Sequence, residues 1–246
     1  RNELRLLFYS PVAWILLVIF FAQCGMAFTS SVTDLIRIKS LGFGLDRVTY
    51  RLFTDPNSGI FPGIQGYLYL YIPLLTMGLV SRDKTYGTYK LLYSSPVSPA
   101  EITLGKFVAV MIYGAVMMGV LIAASLLSAV CVKNIDFGPV LSGLLGLYLL
   151  LLSYAAIGMF MSSVSRYQII SAVGTIAILF GLNYMPKVAQ GIPVVRDIAY
   201  WLGIAGRADY LIMGMICSED VIYFISVIAL FLALTSLKLR FEVNSG

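Results

Sequence analysis

Apolar residues run along this chain in blocks too long for a soluble core, and the polar residues gather between the blocks. Six windows carry no Asp, Glu, Lys or Arg: 6–33, 56–81, 107–132, 137–165, 167–186 and 221–237. They are 28, 26, 26, 29, 20 and 17 residues long. A helix crosses a bilayer with roughly 20 apolar residues, within a range of about 17–25, so all six qualify, the last narrowly. Trimmed of polar flanks at 29–33 and 56–59, the windows predict spans near 12–30, 62–80, 107–130, 140–161, 167–184 and 221–237. The expected fold class is an all-α integral membrane protein with six transmembrane helices in a single domain, 1–246.

Shorter patterns refine this layout. Residues 1–10 place their charges first and Leu4, Leu7 and Phe8 at helical spacing. This predicts an interfacial elbow helix carrying Arg5, Leu7 and Phe8 before Pro11, or else the first turns of span one. Pro73 should kink span two. Residues 34–55 read as an outside loop with a Gly42-Phe43-Gly44 turn. The short 131–139 link makes spans three and four an antiparallel hairpin, and Arg166 marks a tight turn into span five. Small residues four apart, Ala115 with Gly119, Ser142 with Gly146 and Gly158 with Ser162, allow close helix approach. Residues 185–220 are too apolar for a solvated loop, and Pro186, Gly191, Pro193, Gly203, Gly206 and Gly214 break them into pieces too short to span. A broken, re-entrant segment before the last span is expected, with a compact outside loop bearing interfacial aromatics as the alternative.

Composition agrees with a membrane protein: 12% of residues are charged and the mean hydropathy is +0.90, whereas soluble domains are about 25% charged. The first window is too long for a cleaved signal peptide and ends without an Ala-x-Ala site. The chain opens on Arg1 rather than Met, so residues upstream are expected. With the N-terminus inside, the inner segments hold nine Lys and Arg against four acids, and the outer segments hold eight of each. Four of the outer bases lie in the long first loop, where the positive-inside rule weakens, so both termini are placed in the cytoplasm. The net charge of +5 then reflects loops facing anionic lipid and calls for no nucleic acid.

Several chemistries lack their residues. There is no histidine, the commonest metal ligand and general base. The three cysteines, Cys24, Cys131 and Cys217, show no CxxC spacing and read as packing residues, a Cys131–Cys217 bridge being the weaker alternative. Gly105-Lys106 is followed by Phe107, and Ala100 stands where a phosphate-binding loop needs Gly, so no ATP site of that kind is present. No span carries a central charge, which disfavours an ion-coupled carrier. Gln23, Thr76 and Asn183 are the polar residues within spans and read as helix-to-helix hydrogen bonds.

The exception is a polar island between spans two and three, Arg82-Asp83-Lys84-Thr85-Tyr86-Gly87-Thr88-Tyr89-Lys90-Leu91-Leu92-Tyr93-Ser94-Ser95-Pro96-Val97-Ser98, closing with Leu104-Gly105-Lys106. A short helix over 85–93 is expected, stopped before Pro96, with a new helix starting near Ser98 or Pro99 and Glu101 in its first turn. A solvated loop is the alternative reading of the same residues.

Gly87-Thr88, Leu91-Leu92, Ser95-Pro96-Val97-Ser98 and Leu104-Gly105-Lys106 together resemble the cytoplasmic signature of ABC-2 type transporter permeases. Ile72-Pro73-Leu74-Leu75-Thr76-Met77, and Ser10-Pro11-Val12-Ala13 with Phe20, Gly25 and Phe28, resemble the branch that includes gliding-motility-associated and copper-handling permeases. The resemblance implies a permease subunit in a bacterial cytoplasmic membrane, paired with a second permease, identical or paralogous. It also implies separate ABC ATPase subunits that bind the ATP and Mg; this chain would hold no cofactor or metal and do no catalysis. Asp83, Gly87, Thr88, Leu91, Leu92 and Pro96 would couple to the ATPase, Leu91 and Leu92 filling a pocket on it. Asp83 keeps the family's acid before the Gly, while Lys90 replaces a family Glu and implies a partner of reversed charge there. The spans offer no charged pocket, which leans toward an apolar or lipid-linked cargo. A permease-like subunit with a mechanical or regulatory role and no substrate is the alternative.

Overall fold

In hydrocarbon a backbone N–H or C=O finds partners only within its own helix or a closed barrel, so the apolar windows fold as helices. A computed structural model describes residues 2–41, 48–87, 98–131, 136–188 and 203–245. Among these residues there are nine α-helices and no strand. They are α1 Asn2–Phe8, α2 Pro11–Ser40, α3 Ile60–Thr76, α4 Ser81–Thr85, α5 Pro99–Cys131, α6 Phe137–Val164, α7 Gln168–Val188, α8 Ile204–Ile212 and α9 Ser218–Ser245. A π-helical turn, Tyr50–Thr54, precedes α3.

Among the described residues, five stretches are long and apolar enough to cross a membrane: Pro11–Ser40, Ile60–Thr85, Pro99–Ser128, Phe137–Val164 and Ser218–Glu242. The expected fifth span falls on α7, whose described apolar stretch, Gln168–Tyr184, is shorter than these. The chain is thus an all-helical, multi-pass membrane protein.

Helix α6 is the core. In its apolar window 72% of the residues are buried within the chain, against 22% for α2 and 17% for α9. It packs against α3, α5, α7, α8 and α9, which leaves the outer faces of α2 and α9 to lipid or a partner. Two of the three small-residue pairs serve this packing. A Cβ on Gly146 would lie 2.7 Å from that of Leu211, and Ser142 Oγ donates to the Leu211 carbonyl at 2.7 Å. Gly158 backs directly onto Thr76 of α3. The third pair, Ala115 with Gly119, is exposed and packs nothing closely.

One expected boundary is corrected. Helix α2 continues to Ser40, so residues 34–40 are helix rather than loop; Arg37 and Lys39 sit in its last turn, where cations suit the negative end of the helix dipole. Helix α3 ends at Thr76, within the Ile60–Thr85 stretch that covers the expected span; Pro73 lies inside the helix, where its missing N–H removes one ladder bond. Helix α4 ends at Thr85 and a turn follows at Tyr86 and Gly87; the rest of the short helix expected over 85–93 lies outside the described residues. The Gly42-Phe43-Gly44 turn lies outside the described residues.

The broken segment resolves in part. Residues 189–202, with Gly191, Pro193 and the Tyr200-Trp201-Leu202 piece, lie outside the described residues. Beyond them α8 is nine residues long, about 14 Å at 1.5 Å per residue, far short of a span. It buries Ile204, Ala208, Leu211 and Ile212.

Candidate functional site: a polar junction around α4

The elbow is a helix of its own. After α1 the chain turns through Tyr9 and Ser10, and Pro11 occupies the first turn of α2, where its missing N–H costs nothing. Trp14 Nε1 donates to the Phe8 carbonyl at 2.7 Å. The Phe8 ring also meets Tyr113 of α5, 6.0 Å between centroids, and Tyr113 Oη donates to the Ala13 carbonyl at 2.8 Å. Of the expected elbow residues, Leu7 is buried, Phe8 partly buried and Arg5 exposed.

The break after α3 exposes backbone groups inside the bundle, and one hydroxyl answers them. Ser162 Oγ, on α6, accepts from the amides of Val80 and Ser81, each at 3.0 Å, and donates to the Met77 carbonyl at 2.9 Å. That uses the whole capacity of a serine hydroxyl, one donor and two lone pairs. It also fixes the point from which α4 starts.

Helix α4 is five residues long, and its side chains reach most of the surrounding helices. Asp83 Oδ2 lies 2.7 Å from Lys106 Nζ of α5. The same ammonium lies 3.1 Å from Glu3 Oε2 of α1, and its side chain is only 4% exposed. One buried charge therefore ties the elbow to the island. On the other side Lys84 Nζ lies 2.7 Å from Glu242 Oε1 of α9 and donates to the Ser163 carbonyl. That carbonyl is among the last of α6, where a cation meets the negative helix end. Thr85 Oγ1 donates to the Arg166 carbonyl at 2.7 Å, in the turn from α6 to α7.

The junction ends in a left-handed residue. Gly87 has φ +72, a region that costs an L side chain about 1–2 kcal/mol. Past the island, Ser98 and Glu101 open α5 with a capping box: the Ser98 amide donates to Glu101 Oε2 at 2.9 Å, and the Glu101 amide to Ser98 Oγ at 3.3 Å. This is the helix start expected from the sequence. Of the expected coupling residues, the structure places Asp83 in the ion bridge and Gly87 at the turn. Thr88, Leu91, Leu92 and Pro96 lie outside the described residues, as does Lys90. Sequence reasoning singled out neither Glu3 nor Glu242, and it quoted Ser162 only in a small-residue pair, Lys84 only within the island and Lys106 only as the end of a motif.

A second polar cluster lies at the far end of the bundle. Arg207 of α8 pairs with Asp220 of α9 at 3.0 Å and lies over the Tyr223 ring, 4.5 Å from its centroid. Asp209 accepts from Gln65 Nε2 of α3 at 2.7 Å. Within the spans, Tyr71 Oη donates to Gln23 and Tyr154 Oη donates to Asn183 Oδ1 at 3.0 Å; both join two helices, as read from the sequence. Thr76 instead bonds back to the Ile72 carbonyl of its own helix. Cys24 is a buried free thiol and Cys217 an exposed one. Among the described residues, no cluster of His, Cys, Asp and Glu has the grouping of a metal site.

Long apolar helices around a buried core helix, with charge confined to the ends, define a polytopic membrane protein. The family model described as ABC-2 family transporter protein matches residues 1–197, and the chain belongs to that family. It is therefore a permease-type membrane subunit of an ABC transporter, a non-catalytic class of subunit. Comparison with curated proteins gives no match.

Proposed function

We propose that this chain, over its whole length 1–246, is the membrane-spanning half of an ATP-driven exporter or translocator in a bacterial cytoplasmic membrane. Both termini face the cytoplasm, and α7 supplies a sixth span. Residues 185–220 form a broken, re-entrant segment of which α8 is one piece. A separate ABC ATPase holds the ATP and Mg, and a second permease, identical or paralogous, completes the path. The gliding-motility and copper-handling branch is the nearest subtype on the motifs around Pro11 and Pro73.

The observation that carries this reading is the reach of α4. A push on the island moves Asp83, Lys84 and Thr85, and through them α1, α5, the end of α6 and α9. Asp83, Gly87, Thr88, Leu91, Leu92 and Pro96 form the coupling surface, with Leu91 and Leu92 docking into the ATPase and the elbow residues Arg5, Leu7 and Phe8 lying beside it. Lys90 calls for an acidic group on that partner. The helix-to-helix roles of Gln23 and Asn183, and the absence of a central charge in the described spans, favour an apolar or lipid-linked cargo.

Leu91→Asp tests the coupling role. The variant should insert at wild-type levels yet abolish substrate-dependent ATP hydrolysis by the assembled complex. Transport at the wild-type rate by Leu91→Asp would remove the island from the mechanism.

A further inference from the structure

A cleft of about 560 Å3 opens between α1 and the α3–α4 junction. Its two walls differ in chemistry. Leu6, Val12, Leu74 and Leu75 make one wall apolar, while the charged lining is Glu3, Arg82, Asp83 and Lys106, the last bridging Glu3 and Asp83. Leu6 is 58% exposed, so this chain leaves the wall for something else to cover. Among the described residues the Arg82 guanidinium has no ion pair or hydrogen-bond partner. Glu3 Oε2 pairs with Lys106, and among the described residues Oε1 has no partner.

The two open groups select the occupant. A guanidinium at an apolar boundary binds phosphate oxygens well. A carboxylate oxygen on the same rim then asks for a cation carrying N–H donors. The apolar wall asks for acyl chain, and the position at the end of the apolar helices is where lipid headgroups lie. A purely anionic headgroup would bring negative charge against Glu3. A quaternary ammonium has no N–H to donate.

We propose that this cleft binds a glycerophospholipid with a primary-amine headgroup. Its phosphate accepts from Arg82, its ammonium donates to Glu3 Oε1, and its upper acyl segments cover Leu6, Val12, Leu74 and Leu75. The lipid wedges the elbow against the α3–α4 junction. The inference rests on the multi-pass membrane placement and not on coupling to an ATPase.

Native mass spectrometry of the full chain in detergent tests it, titrating phosphatidylethanolamine, phosphatidylcholine and phosphatidylglycerol of identical acyl chains. The ethanolamine lipid should bind about tenfold more tightly than either other, the size of one charge-assisted bond. Arg82→Ala should weaken it by about tenfold. Glu3→Gln should erase its advantage over the choline lipid. Because Glu3 also holds Lys106, Leu75→Trp serves as a second variant: it fills the cleft, leaves the ion bridge intact, and should exclude the lipid. Equal binding of all three lipids, or ethanolamine-lipid binding unchanged in both Arg82→Ala and Leu75→Trp, would overturn the assignment. So would soluble glycerophosphoethanolamine binding as tightly as the lipid. None of these readouts depends on ATP hydrolysis, so this inference and the coupling proposal fail separately.

Discussion

Single atoms carry much of the weight at the α4 junction. Ser162 Oγ satisfies two amides and one carbonyl where α3 breaks, and an unpartnered buried amide costs about 1–3 kcal/mol. Ser162→Ala should therefore destabilise the chain by about 2–4 kcal/mol, read as a lower unfolding temperature in detergent. An unchanged temperature would mean that those amides find another partner. Nothing local in the sequence announces this role. Pro73 announces a kink in span two, but the residue that answers the break after Thr76 lies more than eighty positions downstream. Gly87 is the opposite case, a local one: glycine suits a turn with φ above zero, and the structure has it there.

Helices and their ends show the same division between local and distant information. The capping box at Ser98 and Glu101 spans three residues, so the start of α5 could be read directly. The elbow could be read from Pro11 and the spacing of Leu4, Leu7 and Phe8. What ties α4 in place could not, because Lys106 is 103 positions from Glu3 and Lys84 is 158 from Glu242. Periodicity reports which face a helix buries but does not name the charge across from it. The Lys106 bridge makes a prediction for α1 and α4 as a pair. Lys106→Met leaves Glu3 and Asp83 facing each other without a cation. Breaking a fully buried pair costs about 3–5 kcal/mol, and the partial exposure of both carboxylates brings this nearer the lower end. The elbow should loosen, so limited trypsin digestion should cleave after Arg5 faster than in wild type. An unchanged rate would show that Phe8, Trp14 and Tyr113 hold α1 without the bridge.

The whole molecule has two polar ends and an apolar middle. Glu242 and Asp220 lie on the same helix, α9, and each is ion-paired. At 1.5 Å per residue they are about 33 Å apart, close to the roughly 30 Å of a bilayer's hydrocarbon core. The span windows were legible because lipid imposes a length on composition. The limits of α2, α3 and α8 were not, because they depend on packing against α6 and on where each helix continues past the bilayer. The orientation of this frame has a direct test in Cys217, an exposed thiol beside Asp220. In a Cys131→Ala background, a membrane-impermeant maleimide should label Cys217 in intact spheroplasts, and Cys24, buried in α2, should stay unlabelled. Labelling only after permeabilisation would invert the topology and move the α4 junction to the outside.

The claim that joins these scales is that the α4 junction receives a separate ATPase. Affinity purification of the full chain from its own membranes in mild detergent, with mass spectrometry of the accompanying proteins, measures this most directly. The account predicts that an ABC ATPase with a phosphate-binding loop co-purifies, and the presence or absence of a second permease shows whether the pair is mixed or identical. The chain alone, recovered without an ATPase in several detergents, would contradict it.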